Sequence, residues 1–195
     1  MENFMEKRTM VCRSTEYRAV EEAGDLYIEG YFAVFNSNYE ICPGITESVA
    51  PGAFSGALSG DVRALTNHDT TLVLGRNRAG TLELKEDSVG LWGRIRINRE
   101  DSDAMNLYSR VQRGDVDQCS FGFEIAEETV DFRDDGSAHW TILRVDPLYE
   151  VTVATFPAYQ ETSVAARTAQ TENARKRTLE TWRAEMMKKI KRSDP

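Results

Sequence analysis

Apolar and polar residues alternate with a period of two along much of this chain, which is typical of β-strands. The clearest run extends from Leu26 to Phe35, and a preceding strand, Tyr17 to Glu21, is joined to it by a glycine turn. One face of the longer strand is predicted to carry Leu26, Ile28, Gly30, Phe32 and Val34. Further short strands are predicted at Leu72 to Leu74, Leu82 to Leu84, Leu91 to Ile97, Gln118 to Phe132, His139 to Val145 and Leu148 to Phe156.

The spacing of apolar residues changes to that of a helix between Asp101 and Arg113. Acidic residues stand at the start of this stretch, and Gly114 follows it at the position where a left-handed residue ends many helices. The residues on its apolar face are Ala104, Leu107, Tyr108 and Val111. Asn36 to Gly44 is predicted to be a polar loop, and Pro51 to Phe54 a short helical turn that begins with proline.

This order of elements predicts a mainly β protein with flanking helices, of the α+β class. About seven short strands follow one another, mostly in sequential hairpins, so we expect an antiparallel sheet or barrel with one or two helices outside it. The chain has 195 residues, which is enough for one domain with a sizeable core. No internal repeat interrupts this pattern.

Composition places the chain among soluble globular proteins. Hydrophobic residues make up 41% and charged residues 29% of the sequence. The first ten residues contain Glu2, Glu6, Lys7 and Arg8, so we expect no signal peptide. No apolar stretch approaches the roughly eighteen residues that a membrane helix needs, and we expect no membrane partner.

The last part of the chain differs from the rest in charge. Residues 168–195 contain eight Lys and Arg against four acids, while the whole chain carries a net charge of −8. We therefore predict two parts, a domain at 1–167 and a basic amphipathic tail at 168–195 that begins its helix near Thr171. The acidic domain argues against nucleic-acid binding. The tail could dock on an acidic partner, pack on its own domain or stay solvated, and its apolar stripe is Leu179, Trp182, Met186 and Ile190.

Cofactors and metals have no support in the motifs. The three cysteines, Cys12, Cys42 and Cys119, are not spaced like paired metal ligands, and they are expected to be reduced thiols. Neither of the common glycine-rich nucleotide motifs occurs. We therefore expect no cofactor and no metal.

Two residues have the chemistry of a serine hydrolase. Ser120 alternates with Cys119 and Phe121 along a predicted strand, and Gly122 leaves room on its face for a substrate backbone. His68, in Thr66-Asn67-His68-Asp69, is the natural general base, because imidazole titrates near neutral pH. A third group must orient such a base, and the chemistry leaves Asp69, Glu150 and His139 open. A strand hydroxyl and a surface histidine without any chemical role would give the same pattern.

Five motifs in order resemble the prohead (procapsid maturation) protease family of tailed phages, over about residues 8 to 166. They are Ile28-Glu29-Gly30-Tyr31-Phe32-Ala33-Val34-Phe35-Asn36, Glu47-x-x-x-Pro51-Gly52-Ala53-Phe54, Asn67-His68-Asp69, Ser120-Phe121-Gly122-Phe123 and Glu150-Val151-Thr152-Val153-Ala154-Thr155-Phe156-Pro157-Ala158. That family is related in fold to the herpesvirus assemblins, serine proteases built on a β-barrel ringed by helices. The resemblance implies an assemblin-like antiparallel barrel here.

The same resemblance implies the roles of the residues. It makes Ser120 the nucleophile, His68 the base and Glu150 the third member, although assemblins have a histidine in that third role. It implies a serine endopeptidase that acts in the host cytoplasm inside the assembling procapsid. The expected substrates are the scaffold protein or the scaffolding segment of the major capsid protein, and the protease itself, and self-association into a homo-oligomer stays open.

Two other functions compete with this interpretation. A catalytically silent scaffold or head-assembly protein could have the same fold, but the presence of both Ser120 and His68 argues against it. An esterase or amidase for small molecules is disfavoured, because the nucleophile-elbow motif G-x-S-x-G is absent.

Overall fold

The computed structural model of the chain describes residues 8–13, 17–133 and 135–156, and positions 171, 172, 176, 180 and 183. Strands account for most of this part of the chain. They are β1 (Arg8–Arg13), β2 (Arg18–Glu22), β3 (Asp25–Val34), β4 (Tyr39–Cys42), β5 (Ile45–Val49), β6 (Arg63–Thr66), β7 (Asp69–Arg76), β8 (Leu82–Glu86), β9 (Gly90–Ile97), β10 (Gln118–Phe132) and β11 (Ala138–Ala154). Helix α1 covers Ser102–Arg113, and two short 3-10 helices cover Ala57–Ser59 and Asn77–Ala79.

The strands form two sheets. The larger has seven strands in the order β1-β10-β11-β5-β4, with β6 paired to β11 and β7 paired to β6. The smaller has four strands in the order β2-β3-β9-β8. Strand β11 is the centre of the larger sheet, because β10 pairs with one of its edges and both β5 and β6 pair with the other. The pairs β11–β5 and β11–β6 are parallel, whereas the other strand pairs are antiparallel.

One large apolar core joins both sheets to α1. It includes Phe32 and Ile95 from the smaller sheet and Phe121 from the larger one, all fully buried. Phe121 stacks on Phe123 with ring centroids 4.7 Å apart and meets Phe54 edge to face at 5.4 Å. Aromatic contacts of this kind add to the large hydrophobic stabilisation of a buried ring. They hold one face of β10 firmly in the core.

Helix α1 matches its prediction because its signals are local. The Asp101 side chain accepts hydrogen bonds from the N–H groups of Asp103 and Ala104 at the helix start. Gly114 ends the helix with a φ of 80°, a conformation that glycine adopts without strain. The four residues predicted for the apolar face, Ala104, Leu107, Tyr108 and Val111, are the buried ones.

The mainly β prediction is confirmed, but the barrel is not. In the part of the chain that the structure describes, no strand pairing closes either sheet into a barrel. The sequential antiparallel arrangement is also wrong at two places, because β5 and β6 run parallel to β11. Parallel pairs need long crossovers, so local patterns along the chain do not indicate them.

Two local predictions also differ from the structure. The predicted loop at Asn36 to Gly44 contains β4, which forms a hairpin with β5 around a turn where Gly44 has a φ of 80°. The strict alternation predicted for Leu26 to Phe35 ends at a register shift between Tyr31 and Ala33. The extra residue turns Ala33 and Phe35 into the core, so that Val34 is only half-buried.

The described positions near the C-terminus, 171, 172, 176, 180 and 183, are helical. The residues that directly precede Thr171, where the helix is predicted to begin, lie outside the described part of the chain. Thr171 is buried, whereas Glu172, Lys176, Glu180 and Arg183 are exposed at helical spacing. The predicted apolar stripe of the tail lies outside the described residues. Within the described residues, no helix is both long and apolar enough to cross a membrane.

Candidate active site

Ser120 lies in the interior of the larger sheet, on β10 between β1 and β11. Its backbone partners are Val11 on one side and Thr152 on the other. Its neighbours Cys119 and Phe121 point into the core, so Ser120 and Gly122 face the opposite side of the sheet. Ser120 is completely buried. The core contacts behind β10 therefore fix the position of a serine on the sheet's other face.

His68 lies on the two-residue turn that joins β6 to β7. Asn67 and His68 both have left-handed backbone angles, with φ of 50° and 60°. Two central residues with positive φ define the tight hairpin turn that matches the twist of the flanking strands. Asparagine and histidine are among the residues that tolerate this conformation best. The sequence Asn67-His68 therefore suits the turn that carries the imidazole.

The turn is fastened to the end of β11 by Asn67. The N–H of Asn67 donates to the carbonyl of Val153 at 3.0 Å, and the Asn67 side-chain oxygen accepts from the N–H of Thr155 at 2.9 Å. The Asn67 amide also donates to the Thr155 hydroxyl at 3.4 Å. These bonds hold the base-bearing turn of one hairpin against a strand that is far away in sequence.

Glu150 meets His68 above Gly122. Glu150 on β11 is the backbone partner of Gly122 on β10, so both residues belong to the same sheet face as Ser120 and Thr152. Nδ1 of His68 donates to Oε1 of Glu150 at 2.7 Å, the length of a charge-assisted hydrogen bond. The exposed fractions of the two side chains are only 18% and 4%. Little water therefore competes with this contact.

The other ring nitrogen of His68, Nε2, is the atom that can accept a proton from a nucleophile. It is buried and has no hydrogen-bond partner among the described residues. A ring whose Nδ1–H donates to a carboxylate presents Nε2 as the proton acceptor, which is the tautomer a general base needs. Residues directly opposite each other on paired strands have Cβ atoms about 5 Å apart. Ser120 therefore lies beside Thr152 on the same face of the sheet. Thr152 in turn contacts both His68 and Glu150.

The other two candidates for the third role are engaged elsewhere. Asp69 is exposed, and its Oδ1 accepts from the hydroxyl and the N–H of Thr71. These two hydrogen bonds hold the pKa of Asp69 below its usual range, and the bond from the Thr71 hydroxyl has the larger effect. His139 lies at the other end of β11 and contacts Thr46 and Ser48 rather than His68. Of the three candidates, Glu150 is the one that contacts His68 in the described residues.

A second serine–histidine pair lies at that far end, and the sequence did not indicate it. The Ser48 hydroxyl is 2.9 Å from Nε2 of His139, and the Thr46 hydroxyl is 2.8 Å from Nδ1. A hydroxyl carries no charge, so Thr46 cannot balance the imidazolium that forms when histidine accepts a proton. The pair of His68 and Glu150 is therefore the better general base.

The space above Gly122 has a different use from the one predicted. A Cβ atom at this position would lie 2.3 Å from Oε1 of Glu150, the oxygen that accepts from His68. The missing side chain thus makes room for the carboxylate, where the sequence suggested room for a substrate.

Among the described residues, no group of three or more His, Cys, Asp or Glu is arranged to hold a metal ion.

We predict that Gly122→Ala impairs the activity expected of this site, the cleavage of peptide bonds, much more than it impairs folding. The new methyl group collides with the Glu150 side chain, which can relieve the clash by moving, but the carboxylate then loses its buried hydrogen bonds to His68 and Thr152 while the backbone stays in place. Cleavage should fall by roughly 100-fold, as misplacement by about 1 Å can cost, with a lower melting temperature but an intact fold. The matched control is Gly56→Ala, where an added Cβ meets nothing within 4 Å. Equal cleavage by both variants would contradict this account of Gly122.

Comparisons with known proteins bear on this site. Residues 13–177 match the model of the caudovirus prohead serine protease family, a range that includes Ser120, His68 and Glu150. The chain is also 28% identical to the prohead protease of Enterobacteria phage HK97 over 179 residues, which cover 90% of this chain and 75% of that protein. No solved structure matches it. The chain therefore belongs to the caudovirus prohead serine protease family and is a phage prohead maturation protease. The family resemblance is confirmed.

Proposed function

We propose that this protease cleaves peptide bonds with Ser120 as the nucleophile, His68 as the general base and Glu150 as the carboxylate that orients the base. The observation that carries the proposal is the 2.7 Å hydrogen bond between His68 and Glu150 on the sheet face that also holds Ser120. Membership of a serine protease family supports the reaction class. The proposal adds the identity of the three residues.

The reaction proceeds in two halves. In the first, the Ser120 Oγ attacks the carbonyl carbon of the scissile bond while Nε2 of His68 takes the hydroxyl proton. The C–N bond then breaks, the proton passes from His68 to the leaving amine, and an acyl-enzyme is left on Ser120. In the second half, water gives a proton to His68 and attacks the ester carbonyl carbon. The C–O bond to Ser120 then breaks, His68 returns the proton to the Ser120 Oγ, and the acyl group leaves as a carboxylic acid.

Glu150 matters because His68 becomes positively charged in both halves. A carboxylate on Nδ1 stabilises that charge and holds the ring in the tautomer with Nε2 free to accept. Its effect is strong here because the pair is almost completely removed from water. Glutamate fills this role as well as aspartate would, since the requirement is an acceptor with negative charge at hydrogen-bond distance.

Cleavage requires the groups that cover Ser120 on its face of the larger sheet to move aside. Ser120 has no exposed surface, and Nε2 of His68 is buried as well. A peptide can therefore reach the nucleophile only after the groups that cover it have moved. We propose that this opening accompanies assembly, so activity is best measured where the protease and the capsid protein are produced together.

The proposed substrates are the scaffold protein, or the scaffolding segment of the major capsid protein, inside the assembling procapsid in the host cytoplasm. Support for this proposal comes from the family, whose name and relative both refer to the prohead. We further propose that the protease trims itself between its domain, residues 1–167, and its basic tail, residues 168–195. The tail carries a net positive charge although the whole chain is acidic, so the tail is suited to docking on an acidic partner before self-cleavage removes it.

The test is co-expression with the major capsid protein of the same phage, followed by mass determination of both proteins. We expect the capsid protein to lose one defined segment and the protease chain to shorten between residues 160 and 175. A chelator added to isolated particles should not slow either cleavage, since no step uses a metal. Assembled particles in which both the capsid protein and any separate scaffold protein stay full length would contradict the proposed substrates. Inhibition by the chelator would contradict the metal-free mechanism.

A further inference from the structure

Thr152 occupies the centre of the proposed site. It is completely buried on β11, directly opposite Ser120 on β10. Its hydroxyl donates to Oε2 of Glu150 at 2.7 Å and accepts from the backbone N–H of His68 at 3.3 Å. One hydroxyl group therefore links the carboxylate to the residue that carries the base.

We infer that Thr152 is a positioning residue that holds Glu150 and His68 in register for catalysis, an inference that rests on the proposed function. An ionised carboxylate accepts hydrogen bonds through two oxygens. Oε1 accepts from His68 and Oε2 accepts from Thr152. With both oxygens occupied, the carboxylate cannot rotate without breaking a buried hydrogen bond. Thr152 thus sets which oxygen faces the imidazole and at what angle.

The same hydroxyl also stabilises the turn that carries His68. Asn67 and His68 both have positive φ, which non-glycine residues adopt only where the surrounding structure holds them. Asn67 is held by Val153 and Thr155, and the N–H of His68 is held by the Thr152 side chain. A hydroxyl has one hydrogen to donate and two lone pairs that accept, so it can serve Glu150 and His68 at once. Among the standard side chains of this size, only threonine and serine combine these two abilities.

The experiment compares Thr152→Val with Thr152→Ser in the full chain. Valine keeps the shape of threonine and removes the hydroxyl, whereas serine keeps the hydroxyl and removes a methyl group. In co-expression with the major capsid protein, we expect Thr152→Val to slow cleavage by roughly 10- to 100-fold. This is the range found when the hydrogen-bond partner of a metal ligand is removed, applied here to the partner of a catalytic carboxylate. Thr152→Ser should stay within about threefold of the wild type. Thr141→Val makes the same change on the same strand away from the site and should cleave normally.

A spectroscopic measurement separates positioning from general stability. The chain contains two histidines, so protein labelled with ¹⁵N-histidine gives imidazole signals from only two rings by NMR. We expect Thr152→Val to broaden or remove the Nδ1–H signal of His68, because the hydrogen bond to Glu150 loosens and the proton exchanges with water. The His139 signal serves as the internal control and should not change, since His139 contacts Thr46 and Ser48 instead. Thr152→Ser should retain both signals.

Several results would overturn the inference. A folded Thr152→Val protein with the wild-type His68 signal and wild-type cleavage would do so. So would equal losses in Thr152→Val and Thr152→Ser, because packing rather than the hydroxyl would then be responsible. If Thr152→Val does not fold, Thr152→Cys replaces it, since a thiol is only a weak donor and must slow cleavage; wild-type cleavage by that variant would overturn the inference. Normal cleavage by Ser120→Ala would instead contradict the proposed function, and the NMR comparison would still test the geometry.

Discussion

Ser120→Ala and His68→Ala should each leave the major capsid protein uncleaved in co-expression, with a loss of rate on the order of 10⁶-fold. Without the hydroxyl there is no acyl-enzyme, and without the imidazole the hydroxyl keeps its proton and is a poor nucleophile. Both variants should assemble into particles and should keep the protease chain at full length. The double variant should be no slower than either single one, because residues that act as one unit lose their effect together.

Ser48→Ala is the matched control for this pair of variants. It removes a buried serine hydroxyl that contacts a histidine, as Ser120→Ala does in the proposed mechanism, but at the far end of the sheet. We expect cleavage at the wild-type rate with some loss of stability, because His139 loses a partner. Normal cleavage by Ser120→Ala together with no cleavage by Ser48→Ala would move the active site to His139 and reject the proposal.

The parts of the fold that were predicted correctly depend on residues close together in sequence. Helix α1 is the best example, since Asp101, four apolar residues and Gly114 specify its start, its buried face and its end within fourteen positions. The hairpin between β8 and β9 is similar, because Asp87 accepts from the N–H groups of Val89 and Gly90 in the turn. Such signals are complete in a short window and need no tertiary information.

The errors arise where distant parts of the chain decide the structure. Strand β11 was predicted as two strands, His139 to Val145 and Leu148 to Phe156, with a break that contains Pro147. Proline cannot donate to a ladder, so a continuous strand is not expected there. In the structure the strand continues through Pro147, and the register with β10 shifts between Val145 and Leu148, where the missing donor is tolerated. The parallel pairing of β5 and β6 with β11 likewise joins segments that are far apart in sequence.

The residues of the candidate site also divide into those with a signal in the local sequence and those without one. Ser120 and His68 could be proposed from chemistry, because few side chains serve as a nucleophile or as a base near neutral pH. Glu150 was one of three candidates for the third role by chemistry, and the family resemblance selected it, since nothing in its local sequence separates it from other glutamates on strands. Thr152 was not predicted at all. Threonine is common in strands for its shape alone, and its role here follows only from the register that places it opposite Ser120.

Glu150→Gln should slow cleavage by roughly 10⁴-fold, less than loss of Ser120 but more than any other single change near His68. Glutamine has nearly the same shape, yet it has one acceptor oxygen and one NH₂ group, which only donates. The carboxylate of Glu150 accepts from two donors, His68 Nδ1–H and the Thr152 hydroxyl. If the amide oxygen faces His68, the NH₂ group faces the Thr152 hydroxyl, which must then turn its hydrogen elsewhere. If the NH₂ group faces His68, the ring must adopt the tautomer that cannot accept at Nε2.

In both orientations the negative charge that stabilises the imidazolium is gone, so the variant should remain slow even where it folds well. The measurement is the fraction of capsid protein cleaved over time in co-expression, beside the melting temperature of the purified protease. Glu29→Gln is the matched control, because Glu29 is also buried and ion-paired, with Arg18 and Arg94, but lies in the smaller sheet. We expect that control to lose stability while its folded fraction cleaves at the wild-type rate. A Glu150→Gln protein that is as active as Glu29→Gln would show that His68 needs no carboxylate, and the third member of the proposed triad would have to be abandoned.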